Sequence, residues 1–314
     1  MNDSQRQTRS YLMQLFEQRG FHPRGDLGQN FLIDLNLIDS IVEQAELSQR
    51  DVVLEVGAGT GGLTMSLAES AGRVVSVEYD RRVYELAESA LAGRDNVTLL
   101  RCDALKNKNR LSPRIVEALE TALAETGEAD AALKLVANLP YNIATPVISN
   151  LIASDLPWTR MIVTVQYELG RRLAAKPGTG NFGALSVWVQ SQCRVKLLKK
   201  LPPNVFWPRP QVNSAVMRIT LDHTRRARIE DRALFQTYVR GVFNLRRKLL
   251  RRVLYGLYRA DLDRAGIDRI LEELGLDPQQ RAEKMDVETH ILLANRLKRK
   301  IDARPAVGSA KECC

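Results

Sequence analysis

The chain has 314 residues, enough for one large domain with a smaller one beside it. Hydrophobic residues make up 45% and charged residues 26%, as in a protein with an apolar core, and no run approaches the roughly eighteen apolar residues that a membrane-spanning helix needs. The formal net charge is +9, and it is not evenly spread: between Arg225 and Lys300, 19 Lys and Arg stand against 11 Asp and Glu, so that stretch carries +8.

A basic end on a near-neutral body fits either a polyanionic partner or a solubilising surface, and charge alone does not separate the two. The opening MNDSQRQTRS has no apolar h-region, so no secretory signal is expected and the cytoplasm is the expected location. The four cysteines (Cys102, Cys193, Cys313, Cys314) lack CxxC spacing, and the three histidines (His22, His223, His290) are scattered. No metal site, disulfide framework or catalytic histidine is expected.

Residues 1–24 form an amphipathic helical lead-in through Tyr11, Leu12, Leu15 and Phe16, ending at Pro23. From Val52 onward, short β-branched runs alternate with helical patterns. Strands are predicted at 52–56, 73–77, 97–101, 133–137 and 161–165, with two more at 193–198 and 215–221; the helices between them include 62–70 and 82–91. This alternation predicts an α/β domain built on a mostly parallel, seven-stranded sheet covered on both faces. The stretch 105–130 is long for a strand connection and has a helical pattern of its own (Ile115, Leu119, Leu123), which reads as an inserted helix. After Asp222 the pattern is helical through Lys300. The expected division is therefore 1–222 as the α/β domain, 223–300 as an all-α domain and 301–314 as a disordered tail.

The run LEVGAGTGGLT places Gly57, Gly59, Gly61 and Gly62 between the first of these strands and a helix. Glycines let the backbone turn tightly and approach a ligand. Glu78 ends the second strand, placed for ribose recognition. Up to this point the pattern fits a nicotinamide cofactor and S-adenosylmethionine equally well.

The next two strands separate them. Asp103 follows the third, placed to accept from an adenine amino group, and Asn138 follows the fourth and opens Asn138-Leu139-Pro140-Tyr141. Adenine's exocyclic amine is a poor nucleophile because its lone pair is delocalised into the ring. Accepting hydrogen bonds from both its N–H groups localises that pair. The Asn138 side-chain oxygen and the Leu139 carbonyl are the candidate acceptors, with Pro140 fixing the bend and Tyr141 stacking on an extruded base.

With these motifs in place, the chain resembles the KsgA-type rRNA adenine dimethyltransferases from about Leu27 to Ala294. Leu27-Gly28-Gln29-Asn30-Phe31-Leu32 is similar to the opening motif of that family, which implies that Asn30 and Leu32 touch the cofactor, S-adenosylmethionine. Gly57, Glu78, Asp103 and Asn138 fall on the remaining cofactor-contacting positions, and Gly59 belongs to the same loop. The segment 206–214, FWPRPQVNS, resembles the family's Phe-x-Pro-x-Pro-x-Val-x-Ser, which implies that Phe206 covers the other face of the target base. Phe243-Asn244-Leu245-Arg246-Arg247-Lys248 and Arg281-Ala282-Glu283 resemble signatures of its helical domain.

Three departures stand out. Arg24-Gly25-Asp26 precedes the opening motif where the family usually carries more Lys or Arg, Tyr167 stands where it often has Lys, and the 105–130 stretch is longer than usual. The resemblance implies N6,N6-dimethylation of two adjacent adenines in the 3′-terminal hairpin loop of small-subunit rRNA, within a pre-30S particle, by a monomeric enzyme without membrane or metal. Arg246, Arg247, Lys248, Arg251 and Arg252 recur along one expected helix, with Leu245, Leu249, Val253 and Leu257 as its apolar side. They are candidate rRNA phosphate contacts, with a solvated charged face as the plain alternative. The competing readings are an Erm-type large-subunit rRNA methyltransferase, a non-catalytic RNA-binding relative and a dehydrogenase. The Phe-Asn-x-Arg-Arg-Lys segment weighs against the first and the intact cofactor positions against the second, while only the glycine loop supports the third.

Overall fold

The run after Asp51 forms an interior strand of a seven-stranded sheet, and all five of its residues are buried because the sheet is covered by helices. The computed structural model describes residues 7–127 and 131–303. They fall into two units, one comprising the residues up to Ala174 with Cys193–Leu221, the other Ala175–Gln192 with the residues from Asp222 on.

In chain order the elements begin with α1 (Arg9–Gln18), β1 (Phe31–Leu32), α2 (Leu35–Ala45), β2 (Val52–Val56), α3 (Gly62–Ser70), β3 (Arg73–Glu78), α4 (Arg81–Ala90) and β4 (Val97–Arg101). Then come β5 (Leu105–Asn107), β6 (Arg110–Leu111), α5 (Pro113–Glu125), β7 (Leu133–Asn138), α6 (Ala144–Ala153), β8 (Trp158–Gln166) and α7 (Tyr167–Leu173). Helix α8 (Ala184–Gln190) belongs to the second unit, and β9 (Cys193–Leu201), β10 (Phe206–Trp207) and β11 (Ser214–Leu221) return to the first. The second unit continues as α9 (His223–Ala227), α10 (Arg232–Asn244), α11 (Leu250–Tyr258), α12 (Arg264–Glu273) and α13 (Val287–Asp302).

The large sheet has the order β4-β3-β2-β7-β8-β11-β9, with every strand parallel except β11, which runs antiparallel to both neighbours. This is the expected mostly parallel, seven-stranded α/β sheet. The order reverses at β2 and β7, and at such a switch point the carboxyl ends of the strands open into a crevice. Edge strand β9 carries exposed Arg194, Lys196, Lys199 and Lys200, charges that oppose pairing with a foreign strand.

The 105–130 segment differs from its reading as an insertion. Hairpin β5–β6 comes first, and α5 then packs on β3 and β2. It is the crossover that carries the chain from edge strand β4 back across the sheet to β7, a return the topology demands. Residues 128–130 lie outside the described residues. Of the expected 1–24 lead-in, residues 1–6 lie outside the described residues, and the helix runs from Arg9 to Gln18, stopping short of Pro23. Its buried Leu12 and Phe16 pack with Phe31, Val83 and Leu86.

The second unit reaches back to take in Ala175–Gln192, which the division expected at 222/223 places in the first. Phe182 packs edge-on to Phe243 at 6.0 Å and Trp188 lies 6.3 Å from Phe235, so this segment supplies part of the helical core. Beside them, buried His290 donates through Nε2 to the Ala282 carbonyl at 3.1 Å and accepts the Tyr238 hydroxyl at Nδ1 at 2.8 Å. Burial pushes its pKa down to about 4, so the ring is a neutral structural strut.

Arg246–Arg252 does not form one helix, as the sequence pattern suggests. Helix α10 ends at Asn244 and α11 begins at Leu250, because the first free N–H groups of α11 find partners from a distant loop: Leu250 donates to the Gln280 carbonyl at 2.9 Å and Arg251 to Pro278 at 3.3 Å. The apolar stripe shifts accordingly. Leu250, Val253, Leu254 and Tyr258 are buried, whereas Leu245, Leu249 and Leu257 are exposed. The tail expected to be disordered lies, beyond Ala303, outside the described residues. No helix among the described residues is long and apolar enough to cross a membrane.

Candidate active site

The carboxyl ends of β2, β3 and β7 and the turn after β4 converge on a cavity of about 310 Å³. Gly57 leaves β2 with φ 90°, and a Cβ there would meet the Pro140 ring at 3.1 Å. Gly59 has φ 57°, and its Cβ would stand 3.0 Å from the Phe31 ring. Both positions therefore require glycine for conformation as well as for space. The loop is pinned by Gly57 N–H and Ala58 N–H, which donate to the Val77 carbonyl at 2.8 and 3.0 Å.

Glu78 closes the loop from the next strand. Its Oε2 accepts the Gly59 N–H at 3.0 Å, and its Oε1 accepts the Tyr79 and Asp80 N–H groups at 2.9 Å each. The residue is 9% exposed, and burial raises its pKa while the three backbone donors pull it back down. The carboxylate thus shapes the loop and lines the cavity together. Asp103, exposed at the turn after β4, accepts the Leu105 N–H through Oδ1 at 2.8 Å and lines the cavity.

Asn138 ends β7 with its amide orientation set: Nδ2 donates to the Asn30 carbonyl at 2.8 Å, leaving Oδ1 as the acceptor. Asn30 is held in turn by its own Nδ2, which donates to the Gly28 carbonyl at 3.0 Å. Leu139 is anchored by its N–H to the Thr164 carbonyl at 3.1 Å. The Tyr141 hydroxyl pairs with Ser214 Oγ at 2.6 Å, which fixes the ring and explains the serine that closes the 206–214 motif. Gly28, Gln29, Asn30, Tyr141 and Asn142 form a wall shared with a second groove of about 730 Å³, which Pro208, Arg209 and Pro210 also line.

Asn30, Gly57, Gly59, Glu78, Asp103, Asn138, Leu139, Pro140 and Tyr141 are thus brought together around the cavity. Leu32 and Phe206 are not. They pair antiparallel in β1 and β10, and Phe206, 1% exposed, packs in a cluster with Leu37, Ile38 and Val216. A ring so enclosed presents no face to a base, and this corrects the role implied for it. Sequence reasoning also missed Glu55. Buried beneath the loop, its Oε2 accepts Thr64 Oγ1 and Ser76 Oγ at 2.6 Å each, and burial pushes its pKa up to about 8. An acid inside the apolar run 52–56 was the available signal. Tyr79, 62% exposed on the cavity wall, gave none beyond its place after Glu78.

The five basic candidates lie in the second unit. Arg246, Arg247 and Lys248 are exposed on the turn between α10 and α11, and Arg252 is exposed in the first turn of α11. Arg251 is engaged in a two-point pair with Asp268, Nε to Oδ1 and Nη2 to Oδ2 at 2.5 Å each.

The sheet order and the polar ring at its carboxyl edge define a Rossmann-like methyltransferase. Residues 20–298 match the sequence model of the family Ribosomal RNA adenine dimethylase, and the chain belongs to that family. It is 38% identical over 275 residues to the Ribosomal RNA small subunit methyltransferase A of Moorella thermoacetica, covering 87% of this chain and 92% of the relative. Two solved structures share the fold. A dimethyladenosine transferase from Plasmodium falciparum matches with TM-score 0.71, 21% identity and coverage of 86% of this chain and 98% of that one. The 23S rRNA methyltransferase ErmE matches with TM-score 0.59, 22% identity and coverage of 86% and 100%.

The protein is accordingly a methyltransferase that uses S-adenosylmethionine. The cavity fits that cofactor chemically. A carboxylate at the end of β3 suits ribose hydroxyls, Asp103 suits an adenine amino group, and the glycine loop lets backbone approach closely.

Proposed function

We propose that the protein dimethylates N6 of two adjacent adenines in the 3′-terminal hairpin loop of small-subunit rRNA, acting as a cytoplasmic monomer on a pre-30S particle. The observation that carries the chemistry is the Asn138 amide. With Nδ2 committed to the Asn30 carbonyl, Oδ1 is the atom left to accept from an incoming amine.

One N–H of the target amine donates to Asn138 Oδ1 and the other to the Leu139 carbonyl, which localises the nitrogen lone pair for attack. Tyr141, its hydroxyl held by Ser214, supplies a fixed aromatic face for the extruded base. Glu78, Asp103 and Gly57 hold the cofactor, with Asn30 and Gly59 completing the wall. When bound, S-adenosylmethionine supplies a methyl group on a sulfonium. No side chain with a tuned pKa is required, because the amine becomes acidic once it is methylated and releases its proton afterwards.

The exposed cations Arg246, Arg247, Lys248 and Arg252 contact rRNA phosphates, with Arg251 contributing less because Asp268 already engages it. The small-subunit reading is favoured over the large-subunit one by the name of the 38%-identical relative, whereas the ErmE likeness is one of fold. Mass mapping of rRNA from a strain lacking the protein tests the proposal. Loss of dimethyladenosine from the small-subunit 3′ hairpin is expected, and an unchanged hairpin refutes it.

A further inference from the structure

The loop between β10 and β11 carries side chains that this chemistry does not use. Val212 is 45% exposed and lines two grooves. The larger, about 730 Å³, adjoins the cofactor cavity through Tyr141 and Asn142. The smaller, about 350 Å³, is walled by Gln166, Tyr167, Glu168, Pro203, Gln211 and Asn213. Gln166, Gln211 and Val212 belong to both, so Val212 stands on the partition between them.

We propose that the smaller groove is a second nucleotide subsite, which takes the base next to the target in the RNA, and that Val212 is the apolar wedge that parts the two bases. The inference rests on the adenine-methylating reading above. Drawing one base out of a strand breaks its stacking on a neighbour, and the exposed face of that neighbour then needs new partners. Apolar side chains inserted at a base step serve this purpose in nucleic-acid complexes.

The groove has the chemistry of a base site. Tyr167 supplies aromatic surface, Pro203 and Val212 supply apolar surface, and the amides of Gln166, Gln211 and Asn213 can both donate to and accept from a base edge. Its walls are fixed relative to one another, since Gln166 pairs with Ser214 in the β8–β11 ladder and the Tyr167 N–H donates to the Asn213 carbonyl at 2.9 Å. Lys200 Nζ lies 4.8 Å from the centre of the Tyr167 ring, so the position where the resembled family often has Lys holds an aromatic ring with a cation placed over it. Arg209 adds a second cation on the wall of the larger groove, and the two suit a backbone passing from one groove to the other.

The test measures kcat/KM for methyl transfer to one adenine in undermethylated small subunits, using intact rRNA and rRNA made abasic at the nucleotide on either side of that adenine. Val212→Ala and Gln211→Ala are expected to lower kcat/KM on intact RNA by roughly two- to fifteenfold, the loss of two buried methyl groups or of one neutral hydrogen bond. With the abasic site on one particular side, both variants should act like wild type. Equal losses on all three RNAs, or no loss on intact RNA, overturn the subsite. Calorimetric affinity for S-adenosylmethionine and thermal melting confirm that each variant is folded, and Gln211→Ala decides the matter if Val212→Ala is not. Wild-type transfer to intact RNA reads the underlying function independently. Its absence overturns both proposals, whereas transfer with losses that ignore the abasic site overturns the subsite alone.

Discussion

Replacing Asn138 tests the chemistry most directly, because its two amide atoms have separable jobs. In Asn138→Ala the acceptor Oδ1 disappears, and the Asn30 carbonyl loses the donor that sits 2.8 Å away. The first loss falls on the transition state. Removing one preorganised polar group of this kind costs about 100- to 1000-fold in turnover, or roughly 2.7–4 kcal/mol. The second falls on the folded protein, where a half-buried carbonyl left unpaired costs about 1–3 kcal/mol.

Asn138→Asp separates the two, since it restores an acceptor but sets a second oxygen against the Asn30 carbonyl. It should lose stability as Asn138→Ala does and yet retain more turnover. Single-turnover rates at saturating RNA and cofactor, with melting temperatures alongside, read the two effects separately, and calorimetry should show that S-adenosylmethionine affinity changes far less than turnover. An Asn138→Ala enzyme within threefold of wild-type turnover would refute the acceptor role.

Glu78→Ala removes the proposed ribose ligand and also releases the Gly59, Tyr79 and Asp80 N–H groups, so S-adenosylmethionine affinity should fall ten- to a hundredfold at about 1.5–3 kcal/mol for a charged hydrogen bond. Equal affinity in calorimetry, or a matching loss of RNA affinity, would contradict this. Arg247→Ala with Lys248→Ala should weaken RNA binding and flatten the slope of log affinity on log salt by about 0.7–0.9 per lost phosphate contact, leaving cofactor binding intact; an unchanged slope with unchanged affinity leaves these residues as surface charge. Glu55 makes stability pH-dependent: burial raises its folded pKa to about 8, above the ordinary 4.5, so its contribution is fully present below about pH 4.5 and is lost as pH rises through 8. Glu55→Gln should therefore flatten the decline in stability between pH 5 and 8, and denaturation curves with the same pH slope as wild type would show that the acid ionises freely.

Most of the polar ring around the cavity was legible in the sequence because Gly57, Glu78, Asp103 and Asn138 sit where strands end, and strand ends in a parallel sheet share one edge. Gly57, Glu78 and Asn138 needed only the positions of 52–56, 73–77 and 133–137, all of which formed strands. Phe206 was not legible as a core residue because its pairing with Leu32 joins residues far apart in the chain, and nothing local announces that the motif's first aromatic is buried. Ala175–Gln192 was misplaced for a similar reason. A short helix between two strands reads as a crossover, and only its contacts with Phe235 and Phe243 assign it to the helical unit.

The basic segment shows how a tertiary contact can change the meaning of a local pattern. Read as one helix, 245–257 places cations on one face and Leu245, Leu249 and Leu257 on another, which makes the cations a solvated stripe. With α11 capped instead by carbonyls from Pro278 and Gln280, the chain must turn before Leu250. That turn leaves Arg246, Arg247 and Lys248 exposed, with no ion-pair partner among the described residues, while Arg251 one turn on is held by Asp268. Three consecutive free cations on a turn, flanked by exposed Leu245 and Leu249, form a compact contact and not a stripe. A ligand meeting them would touch a few adjacent phosphates at one point of the RNA. The salt slope lost on removing Arg247 and Lys248 should therefore match two local contacts, whereas Arg251→Ala, whose charge is already balanced by Asp268, should change it much less.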